Sequence, residues 1–387
     1  MIGPFSKLSD LYFGEIDCND FYYKCHFGSP IMPPTYDVIN DFNVFLKKEG
    51  SLFSEYPEPR CIDSLRDAIK KYISKISYSC NITNVDMLVT SGTREAINSF
   101  VVFAKNKNKE KKYAIIPSPC YPGYVGSCKY NDLEVISVPL NLDNNFQPQL
   151  SNLSKDILEN TALIILTNPG NPFTYYLSRD SLDEVLAISE EFGIECLVDE
   201  CFFDLQVDNK ITPISATSYL KDCDFLTVIH SLSKRSSSAG LRSGFILSTR
   251  EKINQIANVR SLISPTVPNI IQHVSANLWN DNVHVEDEIK SIVDKIDITK
   301  DYLGDWAIYP EAGFFVNLKT SDELKLTRIL YRKGIKSMPI SFMRHSEVNR
   351  NIVATEGYVR IGLVYDKEDI VKICKTISDI YKENDVL

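Results

Sequence analysis

One lysine in this chain stands among neighbours suited to chemistry. The run HSLSKRSSSAGLRSGF (230–245) places Lys234 beside Ser231 and Ser233, with Arg242 following in the same polar stretch. A lysine in a polar turn is ordinarily a solvated charge. Ser231, Ser233 and Arg242, however, are donors suited to a phosphate, and arginine is the side chain that engages one bidentately. Lys234 is then an amine able to condense with an aldehyde.

The ends of other apolar runs add to this set. MLVT runs into Ser91-Gly92-Thr93-Arg94 and then a helical pattern. Glycine allows close approach there, and unpaired N–H groups at a helix start attract an anion. Plain helix capping explains S-G-T equally well when it is taken alone. IECLVD ends in Asp199, and a carboxylate at the end of an apolar strand is costly unless partnered. A protonated ring nitrogen is one such partner, and a helix cap or a structural ion pair is another. After ALIILT comes Asn168-Pro169-Gly170-Asn171-Pro172, where Asn171 can both donate and accept. After YAIIP, Ser118-Pro119-Cys120-Tyr121-Pro122 presents an aromatic plane. Each piece is weak by itself. Together they offer an amine for an aldehyde, donors for a phosphate, an anion for a pyridine nitrogen, a polar partner for a phenolate and a flat surface for a ring. Pyridoxal 5′-phosphate needs that set.

These residues require a sheet whose strand ends converge. Seven β-branched runs, at 87–90, 112–117, 133–139, 162–167, 194–199, 225–230 and 244–248, alternate with helical stretches such as 93–105 and 178–193. The second of these helices opens with Ser178 and closes with Gly193, a cap and a stop. Continuous apolar strands separated by helices predict an α/β fold with a mostly parallel seven-stranded sheet covered on both faces, which gathers chemistry at the strands' C-terminal ends. The lysine/asparagine run 104–112 reads as an exposed loop, and 33–50 as a helix with proline at its start and Gly50 at its end. From 268 to 303 one long helical pattern runs, followed by short strands at 313–319 and 358–364 and helices near 321–333 and 366–383. This is a smaller α+β unit. The expected organisation is an arm with part of the small domain (1–45), a large cofactor-binding domain (46–280), and an interdomain helix with the small domain (281–387). Residues 1–32 are too irregular to assign and read as an arm over the site or over a partner subunit.

From about residue 27 to 383 the sequence resembles the fold-type-I pyridoxal-phosphate enzymes of the class I/II aminotransferases. HSLSKRSSSAGLRSGF resembles their lysine signature S-x-S-K-x(7)-R-x-G. SLSKRS and GLRSGF are most similar to succinyldiaminopimelate aminotransferases, with histidinol-phosphate aminotransferases more distant. The resemblance implies that Lys234 holds the cofactor and moves the substrate's Cα proton. It implies that Asp199 pairs with the pyridine nitrogen, that Asn171 bonds the phenolate oxygen at the substrate's side, and that Tyr121 stacks on the ring. Gly92, Thr93, Arg94, Ser231, Ser233 and Arg242 hold the phosphate on this reading. Arg360 in YVRIGLV matches the arginine that clamps the α-carboxylate, and Gly28 in FGSPIMPP the G-x-P segment that closes over it. Tyr56 in EYPEPRCIDSLRDAI resembles the tyrosine that reaches the phosphate from the neighbouring subunit, which implies a homodimer. Three positions depart from the pattern. N-P-T-G reads Asn171-Pro172-Phe173-Thr174, Cys61 replaces a glycine, and Phe202 stands where many members have a tyrosine donating to the phenolate. Losing that hydrogen bond raises the pKa of the lysine-bound cofactor by roughly one to two units.

Composition agrees and excludes other classes. With 387 residues, 44% hydrophobic and 24% charged, the chain is globular and large enough for more than one unit. The net charge of −9 leaves no chain-wide basic footprint for nucleic acid or anionic lipid. No apolar run approaches a membrane span, and the opening MIGPFSKLSDLYFGEID lacks the form of a signal peptide. The ten cysteines are scattered without C-x-x-C and read as buried thiols of a reducing compartment, and the five histidines lack metal-ligand spacing. The expectation is a cytoplasmic aminotransferase that acts on an amino acid and a 2-oxo acid. The alternatives are another pyridoxal-phosphate reaction (decarboxylase, lyase, cyclase or oxidase), motivated by Phe202 and the altered turn, and a non-catalytic ligand sensor. The segments around Tyr22, Tyr23, Lys24 and His26 and around Phe342, Met343 and Arg344 mix aromatic with basic character, which favours an acidic or acylated substrate side chain.

Overall fold

Strands between 85 and 249 pair into one seven-stranded sheet. The computed structural model describes residues 3–15, 22–29, 34–48, 50–77, 84–264, 266–345 and 357–383, so Cys18, Cys80 and Pro30–Pro33 of the G-x-P segment lie outside the described residues. After a short strand β1 (Tyr23–Lys24), the large sheet comprises β2 (Val85–Thr90), β3 (Tyr113–Ser118), β4 (Glu134–Pro139), β5 (Thr161–Thr167), β6 (Glu195–Asp199), β7 (Leu226–Ser231) and β8 (Gly244–Thr249). Its order is β2-β8-β7-β6-β5-β3-β4. β7, β6, β5, β3 and β4 pair in parallel, and β8 lies antiparallel between β2 and β7. The mostly parallel sheet expected from the sequence is therefore present.

The unbroken apolar character of these strands has a structural reason. Successive side chains point to opposite faces, and both faces are covered. Along β6, Cys196 and Val198 enter the core on one face and Leu197 enters the core on the other. The helix Arg179–Phe192 shows the local logic clearly. The Ser178 hydroxyl accepts from the Ser181 N–H at 3.1 Å, and Gly193 ends the helix in the left-handed region at φ 60°.

A four-stranded antiparallel sheet follows, in the order β12-β13-β10-β9, built from β9 (Ala307–Ile308), β10 (Phe315–Thr320), β12 (Met338–Pro339) and β13 (Gly357–Gly362). Its core is shared with the helices Val283–Leu303, Glu323–Arg332 and Lys367–Glu383. β1 pairs in parallel with β11 (Ile335–Lys336), which ties the N-terminal segment to this later part of the chain. No helix among the described residues is long and apolar enough to cross a membrane. The described cysteines are free and mostly buried.

Three local expectations need correction. Residues Pro4–Tyr12 form a helix, with proline at its first position and Leu8 packed against Met338, Ile340 and Met343. The lysine/asparagine run is helical as far as Lys107, and Lys105 closes the following turn by donating to the carbonyls of Lys109 and Lys111. The pattern from 268 to 303 is two helices, Asn269–Asn280 and Val283–Leu303. The buried Arg235 donates to the carbonyls of Leu278 and Asp281, and Asp281 turns its carboxylate to the Val283 N–H and the His284 ring. One side chain ends the first helix and another begins the second.

Candidate active site

Sheet topology explains why residues far apart in sequence meet. β2, β3, β5, β6 and β7 all end at one edge of the sheet. β8 runs the opposite way, so the residues before it, including Arg242, emerge at that same edge. There lies a cavity of about 450 Å³ whose walls include Thr93, Arg94, Tyr121, Asn171, Asp199 and Ser233. Lys234, Arg242, Gly28 and Arg360 complete this part of the lining.

The remaining predicted residues sit elsewhere. Gly92 lies behind the wall and begins the helix Thr93–Lys107 with φ 81°, a conformation that favours glycine. A Cβ there would collide with the Arg242 guanidinium. Ser231 is buried and donates to the Ser233 hydroxyl at 2.9 Å, serving as the cap of the short turn that carries Lys234. Tyr56 is 100% exposed and does not reach this chain's cavity.

Three charged groups define the chemistry. Lys234 Nζ donates to the Gly28 carbonyl and lies 5.8 Å from the centre of the Phe202 ring. Burial lowers its pKa to about 8, with Arg360 and Arg242 pushing the same way and the Cys201 thiol and Asp199 opposing. Asp199 is buried with no cation within ion-pair distance among the described residues. Its carboxylate accepts from the Tyr124 hydroxyl at 2.9 Å and from the Cys201 N–H at 3.0 Å, yet burial still holds its pKa above the ordinary value. Arg360 is also buried, stacked on Phe315 at 4.1 Å, and it donates to Asn171 Oδ1 and to the His26 carbonyl, both at 2.9 Å. Its Nε has no hydrogen-bond partner among the described residues, and burial lowers its pKa to about 9.

Desolvated charges without counterions are expensive. The orphaned carboxylate calls for a cation and the orphaned guanidinium for an anion. Arg94, Arg242, Thr93 and Ser233 form a donor cluster at the helix start, and among the described lining residues Asp199 is the one acidic group. These residues fit pyridoxal 5′-phosphate: Asp199 for the ring nitrogen, Lys234 for the aldehyde and the donor cluster for the phosphate. The Arg360 guanidinium is unmatched by that group and calls for a separate anion. Tyr121 presents its ring to the cavity while its hydroxyl accepts from Arg94 at 3.0 Å.

Sequence reasoning missed Tyr124 and Thr167. The Thr167 hydroxyl donates to Tyr124 at 3.0 Å, and Tyr124 passes the chain on to Asp199. Spacing held the signal, since Tyr124 follows Tyr121 by one helical turn and faces the same edge. The expectation of an acidic or acylated side chain is corrected in part. Lys24 is exposed and away from the cavity, Arg344 pairs with Glu323 at 3.6 Å, and of the two segments only Met343 reaches the cavity wall.

Residues 34–377 match the family model for aminotransferase class I and II. Among curated relatives, an aspartate aminotransferase of Thermotoga maritima is 23% identical over 91% of this chain and 89% of its own. An LL-diaminopimelate aminotransferase of Natranaerobius thermophilus is 25% identical over 92% of each. A histidinol-phosphate aminotransferase of Clostridium acetobutylicum is 24% identical over 95% of this chain and 97% of its own. Among solved structures, an aminotransferase from Neisseria meningitidis superposes with a TM-score of 0.89 at 25% identity, covering 98% of both chains.

Proposed function

From the premise that this chain belongs to the aminotransferase class I and II family, we propose that it moves the α-amino group of an amino acid to a 2-oxo acid with pyridoxal 5′-phosphate held by the residues named above. The observation that carries this is a depressed lysine amine, an orphaned carboxylate and an orphaned guanidinium facing one cavity. Relatives named as aminotransferases favour transamination over decarboxylase, lyase, cyclase or oxidase chemistry.

The cofactor, when bound, supplies an electron sink for the pair left behind when a bond to the substrate Cα breaks. The chain's own residues do the rest. Arg360 binds the α-carboxylate, which neutralises the buried guanidinium and fixes the substrate's orientation. Asn171, already held by Arg360, is oriented toward the same end of the cavity. Asp199, steadied by Tyr124 and the Cys201 N–H, keeps a ring nitrogen protonated. With a pKa of about 8, Lys234 exists partly as the free amine near neutral pH and can take the Cα proton as a base and return it as an acid. Arg94, Arg242, Thr93, Ser233 and the N–H groups of the helix start that follows Gly92 anchor the phosphate end.

The same reading makes the active unit a homodimer in which Tyr56 reaches the partner's phosphate site, and the full exposure of Tyr56 supports it. It divides the chain into an arm with part of the small domain (1–45), a large domain (46–280) and a small domain (281–387), and the separate hydrophobic cores of the two sheets support that division. Free, mostly buried thiols support a cytoplasmic location. Incubating purified protein with amino acids and 2-oxoglutarate tests the activity. Stoichiometric glutamate is the expected product, and carbon dioxide, ammonia or peroxide without glutamate overturns transamination.

A further inference from the structure

The cavity has more lining than the cofactor and an α-carboxylate use. Its charged groups are Arg94, Lys234, Arg242, Arg360 and Asp199. All five are already engaged, with two arginines at the phosphate end, Lys234 as the amine, Arg360 as the carboxylate clamp and Asp199 as the ring partner. Apart from Asn171 and Ser29, what remains around Arg360 among the described residues is apolar. Met338 lies directly opposite Arg360 on the neighbouring strand, and directly opposed residues share a face of the sheet. Phe315 lies under the guanidinium at 4.1 Å. Phe27 follows His26, whose carbonyl holds Arg360, and packs on Phe5 from the N-terminal helix at 5.5 Å between ring centres. Met343 closes the wall, its own carbonyl held by the Cys120 N–H at 3.1 Å.

A substrate clamped by its α-carboxylate at Arg360 therefore places its side chain among Phe5, Phe27, Phe315, Met338 and Met343. We propose that this site selects amino acids with a bulky, neutral, apolar side chain, aromatic or long aliphatic, over acidic and basic ones. The inference rests on the aminotransferase reading and deepens it by naming the substrate class. Among the described residues, a second carboxylate would be desolvated with no cation left to receive it, and a second ammonium would find only Asp199, which is already engaged. His26, behind Phe27, offers no charge, because burial and nearby cations hold its pKa at about 4. Two methionines among aromatic rings form a soft, polarisable surface that accepts more than one apolar shape, so discrimination between apolar substrates is weaker than discrimination against charged ones.

Calorimetric titration of the cofactor-loaded enzyme with 3-phenylpropanoate and with glutarate tests the proposal, since both carry a carboxylate for Arg360 and only their tails differ. The expected result is at least about tenfold tighter binding of 3-phenylpropanoate. Phe5→Ala, at a half-exposed position, then weakens 3-phenylpropanoate severalfold and leaves glutarate unchanged. Equal affinities, a preference for glutarate, or equal losses in the variant overturn the proposed class. The aminotransferase reading is separated by a half-reaction panel, in which conversion of acidic amino acids alone overturns only the substrate class, whereas no conversion of any amino acid overturns both.

Discussion

Lys234 shows how burial becomes chemistry. An ammonium moved out of water loses hydration that the Gly28 carbonyl only partly replaces, and its pKa falls from 10.5 to about 8. That shift also makes stability depend on pH. Below pH 8 both folded and unfolded chains carry the proton and the folded state bears the full desolvation cost. Between about 8 and 10.5 the unfolded chain binds more protons than the folded one, so stability rises with pH. Cofactor-free Lys234→Met is therefore expected to melt above the parent at pH 7, and the gap should close as pH climbs toward 10.5. Paired thermal scans across that range check it, and a gap that stays constant contradicts the depressed amine. Phe202 makes a second residue-scale argument. It is buried against Phe314 and Phe315 with its ring beneath Lys234, so no hydroxyl reaches the cofactor from that position. Phe202→Tyr restores a donor and is expected to lower, by roughly one to two units, the pH at which the bound cofactor's absorbance shifts. Spectrophotometric titration reads the change directly.

At the scale of elements, the break between the helices Asn269–Asn280 and Val283–Leu303 depends on a side chain remote in sequence. Arg235 is 2% exposed, its guanidinium lies 4.9 Å from the Trp279 ring centre, and it reaches Leu278, Asp281, Asn282 and Asp204. Arg235→Ala removes the cation beside Asp204, leaving its carboxylate with the Tyr72 hydroxyl, and frees the helix carbonyls, with an expected cost of about 3–5 kcal/mol. Denaturant unfolding of the cofactor-free protein measures it, and a loss below about 1 kcal/mol would show that the helix ends are set by something else. This break was illegible in the sequence because no periodicity reports a distant arginine, and apolar spacing runs straight through Asp281. The parallel sheet was legible because strands covered on both faces must be continuously apolar, and the caps Ser178 and Gly193 were legible because each acts within its own helix. The strand-end residues around the cavity could be read because sheet topology gives them one common edge. Tyr124 shared the helical spacing of Tyr121, but that spacing and the strand position of Thr167 also describe common packing residues, and they gain meaning only once Asp199 is found beside them. The N-terminal helix was hidden for a related reason. Pro4–Tyr12 buries little beyond Leu8, so its pattern is faint without the partner surface.

For the whole molecule, the open question is where the phosphate site ends. Within one chain, Tyr56 is fully exposed, and nearby in sequence Phe53 is 67% exposed, surfaces that a lone chain has little reason to present. The segment that follows is firmly placed. Gln272 bonds the backbone of Glu58 and Ile62, and Asn269 holds the Glu58 N–H, so Tyr56 projects from a fixed joint. On the proposed dimer, two-fold symmetry lets each protomer complete the other's site. Two inactive variants can then repair one another. In a mixture of Tyr56→Ala and Lys234→Ala chains that are unfolded and refolded together, half of the dimers are hybrids. Each hybrid carries one site with both residues intact, the lysine from one chain and the tyrosine from the other. Activity should therefore recover to about one quarter of the parent's. If Tyr56 instead served its own chain, every site would lack one residue or the other and mixing would restore nothing. Light scattering on the same samples, expected at twice 43.9 kDa, shows whether hybrids could form at all. A dimer without recovery would exclude Tyr56 from the partner's phosphate site, and a monomer would remove the shared site altogether.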